Sequence, residues 1–141
     1  MSSFKIFDIA ASGMSAQSVR LNTTASNLAN ADSVSGDPRR VYRARHPVFE
    51  AIKAGMAARA GTDPSAAVRV RGIVESQAAP EERYDPGNPL ANESGMIYSP
   101  NVNVIEEMTD MISASRSYQD NVEVMNTTKA LLVATLKLGQ S

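Results

Sequence analysis

The groups in this sequence that could carry a reaction are a few clustered carboxylates, many hydroxyls and one imidazole. Glu106, Glu107 and Asp110 lie close enough in the chain to suggest paired carboxylates for acid-base work, or a cation site. They open a segment that reads as a helix, where acids stabilise exposed amide ends, and the capping use is the simpler one. His46 is the only histidine, so neither a multi-histidine metal site nor a catalytic triad can be assembled. No nucleophile-elbow sequence surrounds any serine, and a serine nucleophile would need His46 as its base. Gly87 and Gly95 are isolated turn residues, not a phosphate-cradling loop. Glu81 and Glu82 fall in a predicted loop beside Arg83 and read as solvated charge. There is no cysteine, which removes disulfide frameworks and thiolate metal sites. The expectation is a protein that is not an enzyme, with no cofactor, no metal and no small-molecule substrate.

Charge narrows the partners. With 14 Lys and Arg against 15 Asp and Glu, the formal net charge is -1, so wholesale attraction to nucleic acid or an anionic membrane is not expected. One stretch is locally basic: Arg39, Arg40, Arg43, Arg45, Lys53 and Arg59 face only Asp37 and Glu50, which reads as a solvated or interface face. Residues Phe4 to Met14 are interrupted by Lys5, Asp8, Ser12 and Gly13, unlike the apolar core of a secretory signal. No later run could span a bilayer. Export, if it occurs, is expected to proceed without a cleaved Sec-type leader, with no direct membrane insertion.

These side chains must be positioned by something, and the ends of the chain supply it. Phe4, Phe7, Ala11, Met14, Ser18, Leu21, Ala25 and Leu28 recur in steps of three and four, which predicts one stripe of a helix roughly 40 Å long. Ser2 or Ser3 could cap its start, and Asn30 with Asp32 its end. A second pattern runs through Val104, Met108, Met111, Ser115, Tyr118, Val122, Met125, Lys129, Leu132 and Leu136. Pro100 precedes it, Asn103 and Glu106 form a capping-box-like pair, and Gly139 could end it in the left-handed conformation.

Between the two patterns, apolar runs shorten and Gly and Pro recur. Alternation in Val41–Arg45 and Val68–Val74 predicts two or more short strands with one arginine-bearing face. Ala51–Ala60 reads as a helical turn or a loose excursion, and Asp85–Gly95 as a turn-rich loop. The predicted fold is mainly α with a small β-containing middle segment: long terminal helices packed side by side as a coiled-coil-like pair, with strands and loops inserted between them. The predicted divisions are 1–31, an N-terminal helix; 32–100, a middle segment; and 101–141, a C-terminal helix.

A single pair cannot bury every apolar residue, since Ile6, Ile9, Val19, Ile105, Ile112, Val124, Leu131 and Val133 lie off the chosen seams. Exposed apolar surface of this kind marks association, so the core is expected to be completed by copies or relatives of the chain. Asparagine is also frequent: Asn22, Asn27, Asn30, Asn101, Asn103, Asn121 and Asn126 cannot all be caps, and several are expected to bond to neighbouring chains or to backbone.

The motifs that carry these residues are specific. Ser12-Gly13-Met14-Ser15-Ala16-Gln17, Arg20-Leu21-Asn22 and Ser26-Asn27-Leu28-Ala29-Asn30-Ala31 resemble the N-terminal signature of flagellar rod, hook and related axial proteins. Ser99-Pro100-Asn101-Val102-Asn103-Val104, Glu106-Glu107-Met108 and Ser113 to Val122 resemble its C-terminal signature. Asp85-Pro86-Gly87-Asn88-Pro89 with Ala91-Asn92 resembles a third element. The chain is thus similar to the flagellar basal-body rod protein family, most of all to its proximal rod members. The resemblance implies a structural subunit that assembles with copies of itself and other flagellar rod proteins into a helical drive shaft. That shaft transmits torque, crosses the periplasm and encloses the export channel. It further implies passage through the flagellar type III export apparatus. The expected assembly interface comprises Phe7, Met14, Leu21, Asn27, Leu28 and Asn30 on the first helix. On the second side it comprises Asn101, Asn103, Met108, Met111, Arg116, Tyr118, Asn121, Val122, Met125, Leu132 and Leu136. The competing reading is a leaderless soluble coiled-coil adaptor or export chaperone.

Overall fold

A computed structural model describes residues 3–53 and 66–139. Helix α1 covers Ser3–Asn30 and helix α2 Val104–Leu138. Between them lie strands β1, Arg45–Lys53, β2, Ala66–Glu75, β3, Glu81–Tyr84, and β4, Met96–Ser99. The mainly α architecture with inserted strands follows the sequence reading. Gly13 lies against Asn121, Arg20 reaches Asp110 and Asn27 meets Glu107, so α1 and α2 run antiparallel. At 28 and 35 residues they are about 42 and 52 Å long. With Gly13 opposite Asn121, the last turns of α2 continue past the start of α1.

The caps follow local chemistry. The Asn103 side chain accepts from the backbone N–H groups of Ile105 and Glu106, at 3.1 and 3.4 Å, satisfying two donors that the first turn of α2 leaves open. Asn103→Ala is expected to cost about 1 kcal/mol, read as a lower urea midpoint with an unchanged slope. At the other end Gly139 has φ -80 and not the left-handed value expected. Its N–H continues the ladder to Thr135 O, and only a chain that reverses sharply after a helix needs the left-handed residue. Of the two candidate caps for α1, Ser3 is the first helical residue and Ser2 lies outside the described residues.

The middle segment forms two small antiparallel sheets. In the first, Arg45 pairs with Glu75 and Lys53 with Ala66, and the register slips between Val48 and Phe49 so that Arg71 is left over as a bulge. The expected strand over Val68–Val74 is therefore present. The expected strand over Val41–Arg45 is not: β1 starts where that stretch ends. The reason is that Val41 and Ala44, three residues apart, are the buried positions. Tyr42 is drawn to α1 by a hydrogen bond to Asn27. Residues 51–53 of the predicted excursion extend β1, and 54–60 lie outside the described residues. Glu81 and Glu82, expected in a loop, are exposed positions on β3.

The second sheet pairs β3 with β4, and Ser35 bridges the far edge of β4 through reciprocal bonds with Tyr98 at 2.9 and 2.8 Å. Ile97, on β4, is buried. The 85–95 loop is ordered by its own turns, with Asn88 N–H donating to Asp85 O, Ala91 to Asn88 and Gly95 to Asn92. It packs on Gly36, where an added Cβ would lie 2.6 Å from the Leu90 carbonyl oxygen. Gly36→Ala must push backbone away, and overpacking of that kind costs about 1–3 kcal/mol. The expected result is faster amide exchange at Ser35 and Tyr98 with protection in α1 unchanged.

The basic stretch is neutralised only in part, and one of its two acids is taken by an arginine of β2. Arg45 meets Glu75 at 3.2 Å and stacks over the Tyr42 ring at 5.6 Å, Arg69 meets Glu50 at 2.8 Å, and Arg43 donates to Ser76 O at 3.4 Å. The backbone N–H of Arg39 donates to Asp37 and, with the guanidinium charge, holds that carboxyl below its ordinary range. A lowered carboxylate pKa stabilises the turn at neutral pH, and this contribution is lost as pH falls through the lowered value. Arg59 and the side chain of Lys53 lie outside the described residues.

Candidate assembly surface

The surface is what the two helices leave uncovered once their inner seam is closed. The buried positions on α1 are Ala10, Ala16, Thr23, Thr24 and Asn27, and those on α2 are Glu107, Ala114 and Thr128. Every one is small or polar. Among the described residues no Leu, Ile, Met or Phe of either helix is fully buried. Small side chains let the two backbones approach closely, and Gly13, whose added Cβ would sit 2.8 Å from Asn121 Oδ1, marks a point of close contact. Two of the three buried threonines are satisfied within their own helices: Thr23 donates to Val19 O and Thr128 to Val124 O.

The polar part of the seam centres on Asn27, which is 1% exposed. Its Oδ1 accepts from Tyr42 Oη at 2.8 Å and from Arg45 N–H at 2.9 Å. Its Nδ2 donates to Arg45 O at 2.9 Å and to Glu107 Oε1 at 2.8 Å. Both donors and both acceptor positions of the amide are filled. The pairing with Arg45, N–H and C=O together, imitates a neighbouring strand, so a helix side chain starts β1. Ser26 extends the network to Tyr42 at 3.1 Å. Next along the seam Arg20 meets Asp110 at 2.7 Å, half in solvent, a contact worth no more than about 1 kcal/mol. Glu107 and Asp110, expected to serve the helix start, are thus cross-helix partners, and Glu106 remains exposed at the first turn.

The expected α1 stripe is accordingly rotated. Ala11, Ser18 and Ala25, three of its members, are exposed, whereas Phe7, Met14, Leu21 and Leu28 are half-buried; the side chain of Phe4 lies outside the description. On α2, Met111, Val122, Met125 and Leu132 are half-buried, while Met108, Tyr118 and Leu136 are exposed. Ile105 is 76% exposed and Leu138 78%, and Ile112, Val124, Leu131 and Val133 also face outward. The helices therefore turn their polar seam inward and leave an apolar face outward.

Of the asparagines expected at an interface, Asn27 is enclosed within its own chain. Asn30 and Asn121 are half-buried and donate to the carbonyls of Ser26 and Ser117. Asn101, Asn103 and Arg116 are exposed. Sequence reasoning missed Tyr42, Arg20 and the inward role of Glu107. An antiparallel register that brought the Asn27 end of α1 to the Glu107 end of α2 would have pointed to the pair. No group of three potential metal ligands occurs among the described residues, and no described helix is long and apolar enough to cross a membrane.

Comparison with known proteins assigns this architecture. Residues 7–36 match the family described as flagella basal body rod protein, and residues 93–138 match the flagellar basal body rod FlgEFG protein C-terminal family. The flagellar basal-body rod protein FlgC of Escherichia coli O6:H1 is 51% identical over 140 residues, covering 99% of this chain and 100% of the relative. The chain belongs to the FlgC family of flagellar basal-body rod proteins. FlgC of Salmonella typhimurium is 50% identical over the same length. FlgC of Aquifex aeolicus is 42% identical over 138 residues, 97% of each chain. The matched segments hold α1 with the turn after it, and α2 with the strand before it, so the family signature coincides with the helical pair. As a member of the FlgC family, the chain is a structural subunit of the basal-body rod and not an enzyme. The adaptor or chaperone reading is set aside.

Proposed function

We propose that the chain self-assembles, with copies of itself and with other flagellar rod proteins, into the proximal rod, a helical shaft that transmits torque and encloses the export channel. Its subunits reach that site through the flagellar type III export apparatus. The observation that carries the reading is the division of the helical pair, with a polar seam closed within the chain and an apolar outer face left open. Apolar area of that extent stabilises a subunit only when neighbours cover it. Interdigitated helices then give stiffness, because packed side chains resist compression. Direct contacts come from the outer face, including Met108, Tyr118, Arg116 and Leu136. Asn27 contributes indirectly, by holding the helices and hairpin in one arrangement.

The test uses two outward residues. Ile112→Asp places a charge on the apolar face, and Arg116→Ala removes an exposed guanidinium. Each variant is expected to retain the helicity of the purified chain while impairing motility in a strain that carries it alone. It is also expected to be depleted from purified hook-basal bodies. Full motility with both variants would overturn the proposal.

A further inference from the structure

We infer that Ser12 is a positioning residue for the β1–β2 hairpin: with Asn27 it clamps the hairpin along α1, and the rod subunit uses the angle so fixed. The second half rests on the assembly reading above. Among the described helices and strands the hairpin packs on α1 alone, since neither of its strands meets α2 or the β3–β4 sheet. Its orientation is therefore set on one helix. Apolar packing does not set it, because such packing is non-directional and is loose here. A groove of about 340 Å³, walled by Val19, Thr23 and Ile73, lies between helix and hairpin, and Ile73 is 53% exposed.

Hydrogen bonds do set it. At the base, both backbone groups of Arg45 are held by the Asn27 amide at 2.9 Å. They lie on the outer edge of β1, because Ala44 O, one residue earlier, faces inward to Ser76 N–H. At the far end, Val68 N–H donates to Ser12 Oγ at 3.1 Å, on the outer edge of β2. Val68 pairs with Ala51, which six residues of strand place about 20 Å from Arg45. Ser12 and Asn27, fifteen residues apart on α1, are separated by about 22 Å. The two spacings agree, so the hairpin runs alongside α1 and not across it. Pins on opposite edges also stop it rolling about its long axis, whereas a pin at the base alone would leave a hinge. The Ser12 hydroxyl suits this use. Its proton goes to Ile9 O at 2.7 Å, which fixes the rotamer and leaves only lone pairs for the strand. Val68 N–H, on a sheet edge with no further strand, thereby gains an acceptor. Ser12 and Gly13 divide two tasks, the serine holding the hairpin and the glycine admitting Asn121 of α2.

Ser12→Ala removes the acceptor while raising helix propensity, so α1 keeps its helicity. Ser12→Thr keeps a hydroxyl that can make both bonds. The sequence contains no cysteine, so spin labels can be placed in pairs on the full chain. Ser15→Cys with Ile52→Cys reads the far end of the hairpin and Ala25→Cys with Val74→Cys its base, all four being exposed sites. Ser12→Ala is expected to broaden the far-end distance distribution about twofold, to leave the base unchanged and to speed amide exchange at Val68 about tenfold. In a strain that carries it alone, the same variant is expected to impair motility, and Ser12→Thr to restore distances, exchange and motility together. Parent-like distances and exchange in Ser12→Ala overturn the clamp. Loss of both in Ser12→Thr as well would put packing in place of the hydroxyl and equally overturn it. Full motility despite a freed hairpin overturns the use of its angle in the rod, and leaves the assembly reading to be judged by the outward variants of α2.

Discussion

Asn27→Asp is expected to lower the stability of the isolated chain by about 3–5 kcal/mol, the cost of breaking a buried polar pair on one side. This is a large share of the roughly 5–15 kcal/mol that holds a domain of this kind. The substitution is nearly isosteric but exchanges a donor for an acceptor. Nδ2 now donates to Glu107 Oε1 at 2.8 Å and to Arg45 O at 2.9 Å. An oxygen there would confront two acceptors in a site where Glu107 is only 7% exposed. Two carboxylates at hydrogen-bond distance cannot both stay ionised, so the folded variant holds a proton that the unfolded chain releases. Its shared pKa is thereby raised in the folded state. The penalty grows as pH rises toward that raised value and shrinks as pH falls toward the ordinary carboxylate range, so the gap between variant and parent narrows on acidification. Asn27→Ala should cost about 2–4 kcal/mol without that recovery, since it strands partners but adds no charge. Urea titrations of the three chains at neutral and acid pH would decide it, and a neutral-pH midpoint for Asn27→Asp matching the parent's would refute the account of the seam.

The second large effect is expected at Gly13. A Cβ there would meet Asn121 Oδ1 at 2.8 Å and Nδ2 at 3.0 Å. The Asn121 amide is held by its own bond to Ser117 O at 2.7 Å. Gly13→Ala sets this crowding against the helix propensity that alanine gains over glycine, about 1 kcal/mol, and should come out close to neutral. Gly13→Leu cannot be accommodated by turning one amide, and forcing the helices apart costs about 2–3 kcal/mol. Shortening the opposing side chain with Asn121→Ala should return part of that loss, which a double-mutant cycle reads as coupling between the two positions. Additivity would mean that the helices do not approach closely there.

The sequence made the helices plain and their pairing obscure, for one physical reason. Apolar residues recur at helical spacing on both terminal segments, and Asn103 supplies a capping side chain, so the existence of α1 and α2 follows from local chemistry. Periodicity reports only that an apolar stripe exists, not what lies against it. Here the stripe of greatest apolar content is not the seam, because Asn27, Glu107 and Tyr42 satisfy one another only when brought inside. The strands were harder. β3 is only four residues long and wholly exposed, so burial leaves no alternating pattern on it. β1 contains Pro47, which argues against a strand in the absence of a partner yet is tolerated in a two-stranded sheet, where every strand has a free edge.

The outward face of α2 is the part of the account on which function depends, and a density reconstruction of the intact basal-body rod tests it most directly. The account predicts that Ile105, Met108, Ile112 and Leu131 are covered by neighbouring subunits, while Asn27 and Glu107 remain paired within one chain. It would be contradicted by a rod in which those four side chains face open solvent and the Asn27 amide reaches across to another subunit.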